Sequence, residues 1–274
     1  MWANRRLVVL AALSLLLAAC GGAQEEETPP EEAPARTLEA RPASIIVDGD
    51  PSDWEGVKGL DLMLEAIAGE ELESKSATVK AAHDDEFIYV LLEVTDDFNW
   101  SADDAHLSGS AAVEWASEAT AGEAMGAEEP DRVTSLGMVD IWHWELECAA
   151  GAESGGEVSD PGEGADPGDD GACNLDDEWA TTPSEREDDN GEGAENSLLG
   201  VWSHTNATED GEGTWVFEMR RPLATGDAQD AQLTVGETAL LALAYWDPDN
   251  GDAGWGDEEH VQSGNQGWIE VTLA

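Results

Sequence analysis

Short apolar runs recur along the chain from Ser44 onward, and clusters of Gly, Asp and Asn separate them. Runs of this length favour strands over helices. Asp84-Asp85-Glu86, between two of the runs, is typical of a hairpin turn. Leu60–Leu72 is compatible with a short helix. The predicted strands are Ile45–Val47, Thr78–His83, Phe87–Val94, Ala111–Ala116, Met138–Leu146, Leu199–Ser203, Trp215–Met219, Ala239–Trp246 and Trp268–Leu273.

This rhythm of strands predicts an all-β domain over residues 44–274, folded as an antiparallel β-sandwich. Residues 149–197 interrupt the rhythm, with 16 acidic residues against one basic residue and with nine glycines. A segment of that composition buries little apolar area. We therefore expect a long, disordered acidic loop inserted into the sandwich.

The first residues are typical of an exported protein. Arg5 and Arg6 precede the apolar run Leu7–Leu17, and Leu17-Ala18-Ala19-Cys20 ends it. The pattern predicts a prokaryotic lipoprotein signal peptide over residues 1–20, with lipid attached at Cys20. The alternative is an ordinary signal peptide with an incidental cysteine. Residues 21–43, rich in Glu and Pro, are then an extended tether between an extracytoplasmic domain and the membrane that holds the lipid anchor.

Two further cysteines, Cys148 and Cys173, flank much of the acidic segment. In an oxidising compartment a disulfide between them is the default expectation. A pair of metal thiolates is the alternative, but no other Cys or His lies at metal-site spacing.

The charge of the chain restricts its partners. Asp and Glu number 62 against 11 Lys and Arg, and the formal net charge is −51. Such a field repels phosphates, so nucleic acid is excluded as a partner. The acid excess also fits a protein that works in high salt. Ca²⁺ is a weak candidate ligand, either at Asp247–Asp252 or in the acidic segment at Asp160, Asp166, Asp169, Asp170, Asp176 and Asp177.

Four segments in order resemble one family. They are Val79–Tyr89, Val139–Trp144 (V-D-I-W-H-W), Trp215–Leu223 and Leu243–Asp247. Together they are similar to the haem-binding domain of the gamma subunits of ethylbenzene dehydrogenase and dimethyl sulfide dehydrogenase. The resemblance implies a DOMON-like β-sandwich that binds haem b and relays electrons for a partner molybdenum oxidoreductase, without catalysis of its own.

The resemblance also implies two axial haem ligands, a Met and a Lys or His. The strand that carries the Met in the family corresponds to Ala111–Ala116, which has none. Met138 or Met125 is then the candidate sulfur ligand, and His260 is the candidate near the C-terminus. Arg220 and Arg221, the only basic doublet after the signal peptide, are candidates for contacts with the haem propionates. Each of these side chains also has a structural alternative in the core, in solvent or in ion pairs.

A second resemblance leads to a different function. Val47–Trp54 and Asp85–Val90 are similar to family 9 carbohydrate-binding domains, which share a related sandwich. It implies a carbohydrate-binding or other ligand-binding surface lipoprotein whose haem site is lost. Exposed Trp pairs would stack on sugar rings, although we expect most of the tryptophans to fill the core. No hydrolase, metalloprotease or phosphate-loop motif is present, so we expect a non-catalytic protein.

Overall fold

The computed structural model describes residues 36–66, 72–101, 104–122, 137–146, 158–159, 174–181, 186–188, 197–250, 254, 260–264 and 267–274. Apart from short 3₁₀ turns, the regular structure in these residues is all β. The strands are β1 (Thr37–Pro42), β2 (Leu60–Ala66), β3 (Lys75–His83), β4 (Phe87–Asp96), β5 (Ser110–Ala116), β6 (Val139–Glu145), β7 (Val158–Ser159), β8 (Asn174–Ala180), β9 (Arg186–Asp188), β10 (Leu199–His204), β11 (Gly213–Pro222), β12 (Thr238–Trp246), β13 (His260–Gln262) and β14 (Ile269–Leu273).

The strands form the predicted β-sandwich, but its pairing is mixed rather than wholly antiparallel. The first sheet runs β7-β10-β11-β4-β3, and the second runs β14-β12-β5-β6-β8-β9. Strand β1 joins them, because Thr37–Ala40 pair in parallel with β14 while Arg41 and Pro42 pair in parallel with β3. A second link runs from β3 through β2 to β13, which also pairs with β12.

Alternation along each strand places the main core between the two sheets. Six of the ten described tryptophans have side chains that are buried in it or packed against it, which confirms that most of them serve as core. Facing side chains from the two sheets include Trp142, Trp144 and Leu243 on one side and Trp215, Phe217 and Met219 on the other.

Three predictions near the start of the domain are wrong. The tether was expected to reach residue 43, yet β1 begins at Thr37 and buries Leu38 and Ala40 on alternate positions. Leu60–Leu72 is not helical where it is described: Leu60, Leu62 and Leu64 share one side of β2, which is the period of a strand. Ile45–Val47 form no strand.

The acidic segment is also not a simple loop. Strand β8 lies within it and pairs along its whole length with β6. Composition misleads here because Asp176, Asp177 and Glu178 are buried, where the sequence alone suggests solvated acid. Their burial depends on partners from distant parts of the chain, which no local pattern reveals.

One buried carboxylate fastens the segment Val47–Trp54 to the outer face of the first sheet. Glu218 on β11 accepts hydrogen bonds from the indole N–H of Trp54 (2.6 Å) and from the backbone N–H groups of Asp48 (3.0 Å) and Gly49 (2.6 Å). Gly49 has a φ of +80°, and a Cβ there would lie 3.1 Å from Val201 Cγ1. Burial raises the pKa of Glu218, which these donors oppose.

A buried cluster of charges crosses the core between the sheets. The guanidinium of Arg221 on β11 contacts three aspartates: Asp140 on β6, Asp177 on β8 (3.2 Å) and Asp230 (2.9 Å). It also lies over the ring of Trp142, 5.0 Å from its centroid. All four charged side chains are buried, so the contacts are shielded from water. We call these four residues the Arg221 cluster.

Several sequence predictions lie outside the described residues. They concern the signal peptide with Cys20, the disulfide between Cys148 and Cys173, and Met125. Among the described residues, no helix has the length and apolar character that a membrane span requires.

Replacing Arg221 with Met is expected to lower the free energy of unfolding by about 3–5 kcal/mol, because three buried carboxylates lose their shared cation. Urea unfolding of the purified chain measures this. Arg220→Met is the matched control: Arg220 lies on the other face of β11, 4.8 Å over the Phe87 ring, and its loss should cost no more than about 1 kcal/mol. Equal losses in the two variants would contradict the role given to the cluster.

Candidate functional site

The outer face of the second sheet, opposite the core, carries an unusual set of side chains. An outer face normally meets solvent, and its polar residues are exposed. That holds at the β14 side of this face, where Thr238, Glu270 and Thr272 are exposed. On β5, β6, β8 and β13, in contrast, the polar residues of this face whose exposure the structure describes are at most 3% exposed. We call this surface the polar face. Its polar members are Ser110, Glu114, His143, Asp176, Glu178, His260 and Gln262.

Strand register gives the polar face its shape. One row across five strands runs Asp176, His143, Ala112, Ala244 and Gln262, each paired with the next. The two alanines are the small residues in the middle of the row. The two alanines therefore form a floor, a strip of small side chains that separates the polar side chains at the ends of the row. His143 and Gln262 lie about 14 Å apart, at three strand spacings.

Three rings lie together at one end of this floor. The indole of Trp246 at the end of β12 has the imidazole of His143 on one side (centroids 4.9 Å apart) and that of His260 on the other (4.7 Å). Trp268 packs partly buried against the apolar residues of the same face. The rings offer flat apolar surfaces beside groups that form hydrogen bonds.

Three residues at the β6–β8 end of the row, one of them the same His143, form a compact group of nitrogen and oxygen ligands. His143 and Asp176 are cross-strand partners, and Glu178 follows two positions along β8 on the same face. One ligand atom from each lies within 4.8 Å of the other two. His143 Nδ1 is 3.6 Å from Glu178 Oε1, and all three side chains are buried.

The structure does not bring Met138 and His260 together. Met138 immediately precedes β6, at the end of the sheet where Val139 pairs with Ala116. His260 pairs with Trp246, which pairs with Ser110 at the opposite end of β5. Six residues of strand separate these ends, about 20 Å. One haem iron therefore cannot be ligated by both residues in this structure.

The basic doublet Arg220-Arg221, which was a candidate for contacts with haem propionates, has other partners in the structure. Arg221 is committed to the protein's own aspartates in the core. Arg220 stacks on Phe87 at the outer face of the first sheet, so the two neighbours point to opposite sides of β11. The doublet therefore does not form one anion-binding fork.

The predicted calcium ligands are likewise divided. Asp176 lies on the polar face and Asp177 in the core, so these neighbours cannot ligate one ion. In the loop after β12, the carboxylate of Asp247 contacts the ammonium of Lys75 at 2.5 Å. Lysine therefore supplies the positive charge at this position, and Ca²⁺ binding stays a prediction without a described ligand set.

Lys75 joins two buried carboxylates at the mouth of the core. Its ammonium lies 2.6 Å from Asp96 and also binds Asp247, while the hydroxyl of Tyr245 donates to Asp96 (2.8 Å). Burial raises the pKa of Asp96 to about 6, since the favourable bond to Lys75 only partly offsets the desolvation and the charge of Asp247. The two carboxylates raise the pKa of Lys75 despite its own burial.

Asp230, the outermost member of the Arg221 cluster, behaves in the same way. Burial raises its pKa to about 6, while Arg221 lowers it and the nearby charge of Asp140 raises it. Both raised carboxyls thus contact a structural cation. This is the arrangement of an ion-pair network that crowds several acids around one base.

Sequence reasoning missed most of the polar face. His143 and Trp246 lay in segments chosen for their resemblance, but Glu178 and Asp176 were read as solvated acid. The available signal was the alternation in Asn174–Ala180, where Leu175 and Asp177 take one side and Asp176 and Glu178 the other.

Comparison with known proteins identifies no family. No protein-family model matches the sequence, and no curated protein matches it. The chain is similar in structure to a family 9 carbohydrate-binding module from Caldicellulosiruptor kristjanssonii, solved with cellotriose (12% identity, TM-score 0.44, 87% of this chain and 94% of that one) and with glucose (13%, 0.40, 87% and 95%). It is also similar to a protein from Bacteroides uniformis (9%, 0.47, 87% and 91%).

The raised carboxyl pKa values predict how stability changes with pH. A carboxyl with a pKa near 6 in the folded state and about 3.9 when unfolded binds a proton first in the folded state. Its contribution to stability is therefore fully present below about pH 4 and is lost as the pH rises through about 6. Asp230→Asn should flatten the fall in the free energy of unfolding between about pH 4 and pH 7.

Urea titrations across this pH range make the measurement. Asp61→Asn, on the exposed side of β2, controls for the loss of one negative charge from a strongly acidic chain. An identical pH slope in the wild type and in Asp230→Asn would show that Asp230 does not titrate in this range.

Proposed function

We propose that the chain is a non-catalytic carbohydrate-binding module whose ligand site is the polar face. The observation that carries the proposal is the composition of that face. An indole lies between two imidazoles beside a floor of alanines, and carboxylates and an amide surround it. This is the chemistry of a site with flat apolar surface and a few placed polar groups.

Each component has a counterpart in a sugar. The flat faces of Trp246 and the imidazoles suit the C–H faces of a pyranose ring. Glu114 and Glu178 offer acceptors for hydroxyl groups, and the amide of Gln262 offers both a donor and an acceptor. The about 14 Å between the ends of the row accommodates more than one ring.

Burial distinguishes the polar face from a solvated surface. Trp246 is 5% exposed, and Gln262 and His143 are 1% exposed. The polar groups therefore line an interior against the sheet, where a ligand's hydroxyls would meet preorganised partners. The same burial means that this face must open before a sugar enters, so we expect slow association.

The non-catalytic part of the proposal rests on the sequence, which carries no hydrolase, metalloprotease or phosphate-loop motif. Attachment to a membrane through Cys20 remains a sequence prediction that would place such a module outside the cytoplasm.

Replacing Trp246 with Ala is expected to weaken sugar binding about tenfold or more, because stacking on the indole contributes about 1.4 kcal/mol or more. Calorimetric titration of the full chain with glucose, cellotriose and a wider oligosaccharide panel measures this. Trp100→Ala, a partly buried tryptophan packed against the core between the sheets, is the matched control and should bind like the wild type. Failure of every sugar to bind, or equal affinity in both variants, would overturn the proposal.

The haem b prediction is tested on the same preparation. Haemin is added, and the visible spectrum is recorded before and after reduction with dithionite. The separation of Met138 from His260 leads us to expect no six-coordinate b-type spectrum. A sharpened Soret band with resolved α and β bands, lost in His260→Ala, would instead replace the carbohydrate proposal with electron transfer.

A further inference from the structure

We infer that His143, Asp176 and Glu178 bind a divalent transition-metal ion of the zinc class at the β6–β8 end of the polar face. The site shares His143 and Glu178 with the proposed sugar site, but metal binding is argued from these ligand atoms alone and is measured without sugar. Its three ligands come from two adjacent, fully paired strands, so the backbone holds them in place.

The hydrogen bonds around His143 determine which ring nitrogen carries the lone pair that a metal ion would bind. The hydroxyl of Ser110 donates its single proton to the carbonyl of Trp144. The same Ser110 oxygen is 3.3 Å from His143 Nε2, so it accepts a hydrogen bond from the N–H group at that nitrogen. In the neutral imidazole the lone pair is then on Nδ1, the atom that faces Glu178. A histidine ligand held through its other ring nitrogen is the usual outer shell of a metal site.

The distance between the ligand atoms of His143 and Glu178 fits two atoms that bind the same ion better than it fits a direct hydrogen bond. His143 Nδ1 and Glu178 Oε1 are 3.6 Å apart, which is beyond hydrogen-bond length. Ligands about 2.1 Å from a tetrahedral ion lie about 3.4 Å from each other. The atom from Asp176 completes a triangle within 4.8 Å, so a small side-chain movement closes the set.

Burial gives the ion an electrostatic reason to be there. Asp176 and Glu178 are each 1% exposed, and two neighbouring carboxylates are expensive to desolvate together. Glu114, also buried, lies diagonally across from His143 on the same face. A divalent cation bound here would lie close to both ligand carboxylates, as Arg221 lies close to the aspartates of the core.

The donor set selects among metals. Imidazole nitrogen favours zinc, cobalt, nickel and copper, whereas Ca²⁺ and Mg²⁺ prefer oxygen alone. Three protein ligands leave a fourth position of a tetrahedral ion for water or an external oxygen. That is the pattern of an open site, distinct from a closed structural zinc site.

Equilibrium dialysis of the purified chain against Zn²⁺, with millimolar Ca²⁺ present to saturate the acidic surface, tests the site. We expect one Zn²⁺ retained per chain. His143→Ala and Glu178→Gln should weaken binding at least about 100-fold, since outer-shell changes alone cost about 10–100-fold. His106→Ala is the matched control, because that histidine is more exposed and pairs with Asp104 at 3.0 Å; it should retain the ion.

Co²⁺ gives a readout that needs no variant. Tetrahedral coordination with a nitrogen ligand should produce intense visible d–d bands in the wild-type chain, and Zn²⁺ should abolish them. Loss of Zn²⁺ binding in both site variants with unchanged circular dichroism supports the assignment. No retained Zn²⁺, no Co²⁺ bands, or equal binding by His143→Ala would overturn it and leave a buried His143–Glu178 ion pair. Sugar titrations repeated after EDTA treatment keep this result separate from the carbohydrate proposal.

Discussion

A single buried guanidinium links the two sheets through the core. Arg221 extends from β11 of the first sheet across the core to Asp140 on β6 and Asp177 on β8 of the second. Removing one partner from a buried charge cluster of this kind is strongly destabilising, so the burial of Asp177 on β8 depends on this contact. Because β8 also presents Asp176 and Glu178 to the opposite face, the candidate site depends indirectly on the same arginine.

The acidity of the chain sets the other constraint. With 62 acidic and 11 basic residues, few cations are available to balance carboxylates that the fold buries. The structure concentrates its scarce bases: Arg221 serves three aspartates and Lys75 serves two. Crowding several acids around each base raises the pKa of Asp96 and Asp230 to about 6, so stability depends on pH in a range where isolated aspartates are fully ionised.

The polar face also buries carboxylates, here on the outer side of the second sheet. Its buried acids need hydrogen-bond donors or positive charge, whether from neighbouring side chains, a metal ion or a ligand. The proposed sugar site over Trp246 and the proposed metal site adjoin each other, because His143 contacts Trp246 on one side and Glu178 on the other. Both proposals follow from one property of the fold: a sheet face that is covered and yet polar.

The sequence by itself determined eight of the strands. Short apolar runs mark β3, β4, β5, β6, β10, β12 and β14 to within three residues at each end and mark the middle of β11, because strands packed in a sandwich need apolar side chains. The turn at Asp84 is also determined locally, because its carboxylate accepts hydrogen bonds from the backbone N–H groups of Glu86 and Phe87. Only the tertiary structure decided which acids are buried, because the burial of Asp177 depends on Arg221, 44 residues away. For the same reason, the candidate ligands Met138 and His260 looked plausible along the chain, while sheet order places them at opposite ends.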